Sequence, residues 1–211
     1  MQDILEKANA FAKAFFENNS DGHDYYHTLR VYRMAIKIAA REPCDKELVG
    51  LSALLHDVDD RKLVGADAPP HANATVFLSR QGYCRIPEVC HIIEQISFRG
   101  TGSTVPDSIE GKIVQDADRL DALGAVGIGR CFAYGGSKGR PMHDPALPAR
   151  SNMTAEEYYQ NTGTAINHFY EKLLKLKEKL NTQTAREIAD HRHAYMEDFL
   201  QEFLVEWDCI K

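Results

Sequence analysis

The chain has 211 residues, 44% of them hydrophobic and 27% charged, with a formal net charge of −6. That is enough for one globular domain with a sizeable core and excludes wholesale disorder; no apolar run nears the ~18 residues of a membrane span, and the opening MQDILEKANAF lacks the apolar stretch of a signal peptide. With 31 acidic against 25 basic side chains, a surface built to grip nucleic acid is not expected, and the five cysteines at 44, 84, 90, 131 and 209, without a CxxC pair, read as reduced thiols of a cytoplasmic protein.

The hydrophobic period is helical almost throughout. Ile4, Leu5, Ala8, Phe11, Ala12, Phe15 and Phe16 share one face of a first helix. A second, from about Tyr25 to Arg41, carries Val31, Met34, Ala35, Ile38 and Ala39 on its stripe. Pro43 interrupts, Asp45 is an N-cap candidate, and LVGLSALL is apolar all round, which predicts a short helix buried in the middle of the domain. A turn at 67–70 precedes a helix from about Ala72 to near Gly82, and Pro87 suits the start of another carrying Val89, Ile92, Ile93 and Ile96. SFRGTGSTVP reads as a loop, after which a helix from about Ser108 carries Ile113, Val114, Ala117 and Leu120. The glycines and prolines of YGGSKGRPMHDPAL predict a long loop at about 134–150. Thr154 and Glu157 form a capping box opening a long helix to about Leu180, and a last helix carries Ile188, Met196, Phe199, Leu200 and Phe203. The expectation is a single all-α domain spanning 1–211, with long C-terminal helices.

The dipeptide His56-Asp57 closes the apolar run, and an ionisable pair there is costly unless its charge is compensated. A divalent cation would compensate it, since imidazole and carboxylate are both ligands of first-row metals. His27 lies four residues before Val31 and seven before Met34, hence on the apolar side of its helix. Asp116 lies three residues after Ile113 and four before Leu120, again on the inward side. Three helices would so aim His27, His56, Asp57 and Asp116 at one interior point. Each residue also has a plain structural role open to it: a hydrogen-bonded core histidine, a chance His-Asp pair, a helix cap or tether.

The ordered set His27, His56-Asp57 and Asp116 resembles the metal signature of the HD-domain phosphohydrolase superfamily. The segments HDYYHTLRV, ALLHDVDDRK, EGKIVQDADRLDALGAVGIGR, YGGSKGRPMHDP, INHFYEKLLKLKEKLNT and MEDFLQEFLVEW are similar to stand-alone bacterial members of about this length. The resemblance implies an HD-type helical bundle, one bound divalent cation and hydrolysis of phosphoester or phosphoanhydride bonds. Within the nucleotide pyrophosphohydrolase-like subgroup it implies conversion of nucleoside triphosphates to monophosphate plus pyrophosphate by attack of a metal-bound water. A mixed nitrogen and oxygen ligand set favours Mn2+, with Mg2+, Co2+, Fe2+ and Ni2+ as alternatives.

Asp60, three residues after Asp57, is the expected holder or base of the nucleophilic water, in a position where related enzymes often carry glutamate; a solvated loop carboxylate is the other reading. Lys62, Arg30, Arg99, Arg119, Lys138 and Arg140 are the candidate phosphate contacts, the last two on a loop that glycine hinges would let close together with His143. His23 and Asp24 are expected to orient His27. His71 and His91 lie where some members of the superfamily bind a second metal, but a single cation is the expectation. The partner is a small nucleotide, with neither nucleic acid nor membrane, and a homodimer through the terminal helices or the Gly/Pro loop is left open. Two alternatives share the same residues: a phosphomonoesterase or phosphodiesterase acting on nucleotides, and a catalytically retired nucleotide-binding module.

Overall fold

The computed structural model describes residues 2–17, 24–60, 64, 68–96, 104–150 and 163–210, and among these the regular structure is helical, with no strand. The helices are α1 (Gln2–Phe15), α2 (Tyr25–Ala39), α3 (Lys46–Leu55), α4 (Ala72–Arg80), α5 (Ile86–Ile96), α6 (Ile109–Asp121), α7 (Gly124–Ser137), α8 (Ala165–Glu171) and α9 (Gln183–Trp207). The described residues pack as two units, one within 2–118 and the other within 119–210. No helix among the described residues is long and apolar enough to cross a membrane.

In the first unit α3 is the central element, contacting α1, α2 and α5. Asp45 starts it as predicted, its carboxylate accepting the N–H groups of Glu47 (2.9 Å) and Leu48 (3.2 Å) while Arg85 pairs with it at 2.6 Å. Every residue from Leu48 to Leu55 is buried, so the run that is apolar on all sides is surrounded on all sides. Gly50 permits this: a Cβ there would meet Leu5 of α1 at 2.7 Å and Tyr32 of α2 at 3.3 Å. The helix-propensity cost of glycine, ~1 kcal/mol, is offset by that close approach. Phe77 of α4 stacks on Phe11 of α1 at 4.7 Å, and Leu78 beside it is fully buried.

In the second unit α7 packs on α8 and α9. An aromatic core joins them, with Phe132 edge-on to Phe199 and near Phe169, and Phe199, Phe203 and Trp207 one above another along α9. Two departures from the sequence pattern occur here. The expected loop from residue 134 begins only at Lys138, because α7 runs through Gly135 and Gly136 to Ser137. There the Lys138 and Gly139 N–H groups bond back into the last turn, and Gly139 leaves the helix at φ 67°. The expected long helix to Leu180 is instead the short α8, capped by Thr164 through the Asn167 N–H, followed by 3₁₀ turns Leu173–Lys175 and Lys177–Lys179. Lys172 at φ −136°, ψ −59° breaks the helix, and the tighter turns still bury Leu173, Leu176 and Leu180. The Thr154/Glu157 capping box lies outside the described residues.

Gly127 is sterically obligatory. A Cβ there would collide with the carbonyl of Ala122, which belongs to backbone and cannot rotate away. Gly127→Ala should therefore lower stability by about 2 kcal/mol or more, read as a drop in the urea midpoint at constant m-value; a change within error would contradict the packing described.

His168 on α8 supplies a pH dependence. Burial, then the Lys172 and Arg140 cations, lower its pKa to about 3 from an ordinary 6.5. The folded chain thus keeps the ring neutral where the unfolded chain protonates it. The resulting stabilisation is full above pH 6.5 and is lost as pH falls towards 3. Urea midpoints at pH 7 and pH 4 should converge in His168→Gln relative to the parent, and an unchanged difference would exclude His168 as the source.

Candidate metal centre

Asp24 opens α2, its carboxylate accepting the backbone N–H of His27 at 2.7 Å. It therefore fixes the main chain of this histidine. His23 lies outside the described residues. His27 is buried. His56 caps the C-terminus of α3 and is also buried, its Nδ1–H donating to the Ala53 carbonyl at 2.9 Å. A carbonyl can only accept, so Nδ1 carries the proton and the Nε2 lone pair is left to act as a ligand. That Nε2 is buried without a hydrogen-bond partner.

Asp57 Oδ2 lies 3.3 Å from His56 Nε2 and 3.4 Å from His27 Nε2. On the other side of His27 Nε2, also at 3.4 Å, is Asp118 Oδ1. The two imidazoles are tilted by 67° with centroids 5.3 Å apart. One ligand atom each from His27, His56 and Asp118 lies within 4.8 Å of the others, the scale of donors gathered round one first-row cation. Burial lowers the His56 pKa, but the Asp57 carboxylate beside the ring, Asp118 and the Ala53 carbonyl together raise it to about 9. The pocket thus favours positive charge. Two carboxylates and two imidazoles fit a divalent cation in ligand type and in sign.

The structure gathers His27 and His56 with Asp118, and Asp116 is not in that group. Asp116 is fully buried, while the Asp118 side chain keeps 31% exposure, as an open coordination site requires. The motif VQDADRLD contains both, and their common neighbour Ala117 is the core residue. The sequence pattern points equally to either side of Ala117 and so does not single out Asp118.

Asp60 follows in a tight turn, its N–H bonding to the Asp57 carbonyl at 3.1 Å, after Val58 N–H bonds to Leu55 at 3.3 Å. Turns of this i→i+3 kind bring residues three apart onto one side. Arg119 is buried and its guanidinium donates to the Lys179 carbonyl. Arg30 is half-buried on α2, one turn beyond His27. Lys138 and Arg140 lie over the Tyr134 ring in the second unit, at 5.5 and 5.6 Å from its centroid. The loop bearing them is fastened by the Pro141 and Met142 carbonyls, which accept the N–H groups of Ala165 and Ile166, and His143 rests edge-on against Trp207. Lys62 and Arg99 lie outside the described residues. His91 pairs at the surface with Asp107 at 2.9 Å, and His71 adopts φ 56° before α4; neither belongs to the cluster.

The HD domain family matches residues 24–123, from the cap of α2 to the end of α6, and so encloses all four donors. A crystal structure of an HD-superfamily hydrolase from Bacillus thuringiensis is 42% identical, covers 98% of each chain and superposes with a TM-score of 0.76. The chain belongs to the HD-domain phosphohydrolase superfamily. The uncharacterized protein YpgQ of Bacillus subtilis (strain 168) is 38% identical over 202 residues, 93% of this chain and 90% of its own. A crystal structure of YpgQ in complex with ADP superposes with a TM-score of 0.76 at 34% identity, covering 94% of this chain and 95% of that one. A Lactobacillus plantarum structure, 38% identical over 99% of each chain, reaches a TM-score of 0.85.

Proposed function

We propose that this protein hydrolyses nucleoside triphosphates to the monophosphate and pyrophosphate, with one divalent cation, Mn2+ first among candidates, held by His27, His56, Asp57 and Asp118. The observation that carries the reading is the buried His56 Nε2, with Asp57 Oδ2 at 3.3 Å and the His27 and Asp118 ligand atoms within 4.8 Å, a donor set whose types and charge suit a divalent cation. The ADP in the YpgQ structure supports a nucleotide as the ligand. When bound, the cation supplies Lewis acidity, lowering the pKa of a water and polarising the phosphoryl group.

The chain's own groups do the rest. The Nδ1–H bond to Ala53 holds the His56 ring in the ligating tautomer. Asp60, one tight turn from Asp57, accepts the proton of the attacking water on its carboxylate. The water oxygen bonds to the α-phosphorus as its bond to the bridging oxygen breaks, and pyrophosphate leaves. Arg30, Lys62, Arg99, Lys138 and Arg140 are the proposed phosphate contacts, whereas the Arg119 guanidinium donates to the Lys179 carbonyl.

Incubation of the full chain with Mn2+ and a nucleotide panel, with products separated by phosphate count, tests this. Pyrophosphate and monophosphate are expected, with neither formed in excess chelator. Orthophosphate release, or turnover of monophosphates or diesters alone, replaces the proposal with the corresponding esterase. Binding of metal and nucleotide without turnover makes the protein a binding module.

A further inference from the structure

His56 and Asp57 lie beyond the last residue of α3, in a turn whose backbone bonds are few. The helical ladder therefore does not by itself fix their side chains. The next residues are held from elsewhere. The Asp59 carboxylate accepts the N–H of Asn73 at 2.8 Å on Oδ1 and that of Ala74 at 2.9 Å on Oδ2. In return the Asn73 side-chain amide donates to the Val58 carbonyl at 3.0 Å.

These bonds occupy a position that α4 leaves empty. Its N-cap residue is His71, left-handed at φ 56° and without a side-chain cap bond. The N–H groups of Asn73 and Ala74 are the ones an N-cap side chain ordinarily satisfies. Asp59 satisfies them from fourteen and fifteen residues earlier in the chain, with its negative charge at the positive end of the helix. α4 is a firm anchor, since Phe77 stacks on Phe11 and Leu78 is fully buried. Val58, between Asp57 and Asp59, is itself completely buried. The turn carrying His56 and Asp57 is thus clamped to a packed helix by three hydrogen bonds placed immediately after the ligands.

We propose that Asp59, assisted by Asn73, is a positioning residue for the cation site: it sets the direction of His56 and Asp57 without touching the cation. The proposal rests on the reading of His27, His56, Asp57 and Asp118 as the ligand set. Ligand groups must be held within about 0.5 Å to coordinate well, and loss of groups that orient ligands typically costs ~10–100-fold in metal affinity.

The test is the Mn2+ dissociation constant of the full chain, measured by titration calorimetry alongside the thermal midpoint. The variants are Asp59→Ala, Asp59→Asn, Asn73→Ala and, as control, Thr182→Ala. Thr182 caps α9 through the Ala185 N–H, so its loss removes a helix cap of the same kind in the other unit. Asp59→Ala should weaken Mn2+ about tenfold or more, and Asp59→Asn, which keeps one acceptor oxygen, should recover most of that loss. Asn73→Ala should cost about threefold, while Thr182→Ala should lower the thermal midpoint and leave Mn2+ affinity unchanged. Parental Mn2+ affinity in Asp59→Ala, with a thermal loss like that of the control, would reduce Asp59 to a helix cap and overturn the proposal. If Asp59→Ala does not fold, Asn73→Ala decides, and unchanged affinity there is equally fatal. Failure of the unsubstituted chain to bind Mn2+ refutes the ligand set itself and is seen before any variant is made.

Discussion

Alanine at Asp57 should abolish cation binding and hydrolysis together, lowering turnover by about 10³-fold or more. Its Oδ2 lies within 3.4 Å of His27 Nε2 and 3.3 Å of His56 Nε2, so one carboxylate bridges both imidazoles. Removing it also takes away the largest influence raising the His56 pKa. In chelator, Asp57→Ala should lower the thermal midpoint, because the buried His56 and His27 rings lose the carboxylate that faces them both. In Mn2+ the parent midpoint rises, because only the folded state binds, and that of the variant stays put. Retained hydrolysis in Asp57→Ala would remove the cluster from consideration as the active site.

The second large effect separates two aspartates on one helix. Asp118→Ala should lose Mn2+ and hydrolysis while folding normally, since its side chain is one-third exposed and borders an open site. Asp116→Ala should behave in the reverse way. It empties a fully buried polar position and costs about 1–3 kcal/mol or more of stability, yet the protein that folds keeps Mn2+. Urea midpoints together with Mn2+ affinities read both effects. A folded Asp116→Ala without Mn2+ binding, beside an Asp118→Ala that retains it, would return the ligand role to Asp116.

The reason these two residues are indistinguishable in the sequence is geometric. At 3.6 residues per turn, neighbours are about 100° apart, so Asp116 and Asp118 flank the core residue Ala117 symmetrically. Ile113, Val114 and Leu120 define which way the stripe faces, but not which flank meets His27. Asp59 escaped for a related reason. Its partners are backbone N–H groups of α4, which every sequence possesses, so no residue pattern marks the bond. In the second unit, composition misled. Gly135 and Gly136 weaken a helix without forbidding it, and the packing of Phe132 against Phe169, Phe199 and Phe203 carries α7 on to Ser137. The run after Thr164 has helical spacing, yet 3₁₀ turns also bury every third or fourth residue, so the spacing alone did not separate the two.

The sequence by itself determined the all-α class, the start of α3 at Asp45, its complete burial, and the histidine pair that ends in His56-Asp57. These follow from periodicity and from the cost of leaving ionisable groups in an apolar interior uncompensated. Only the tertiary structure brought Asp118 of α6 beside His27 and His56, placed the Arg119 guanidinium on a backbone carbonyl, and joined Asp59 to the first N–H groups of α4. Those outcomes depend on the rotation of each helix about its axis and on bonds between distant backbone atoms, which one-dimensional spacing does not encode.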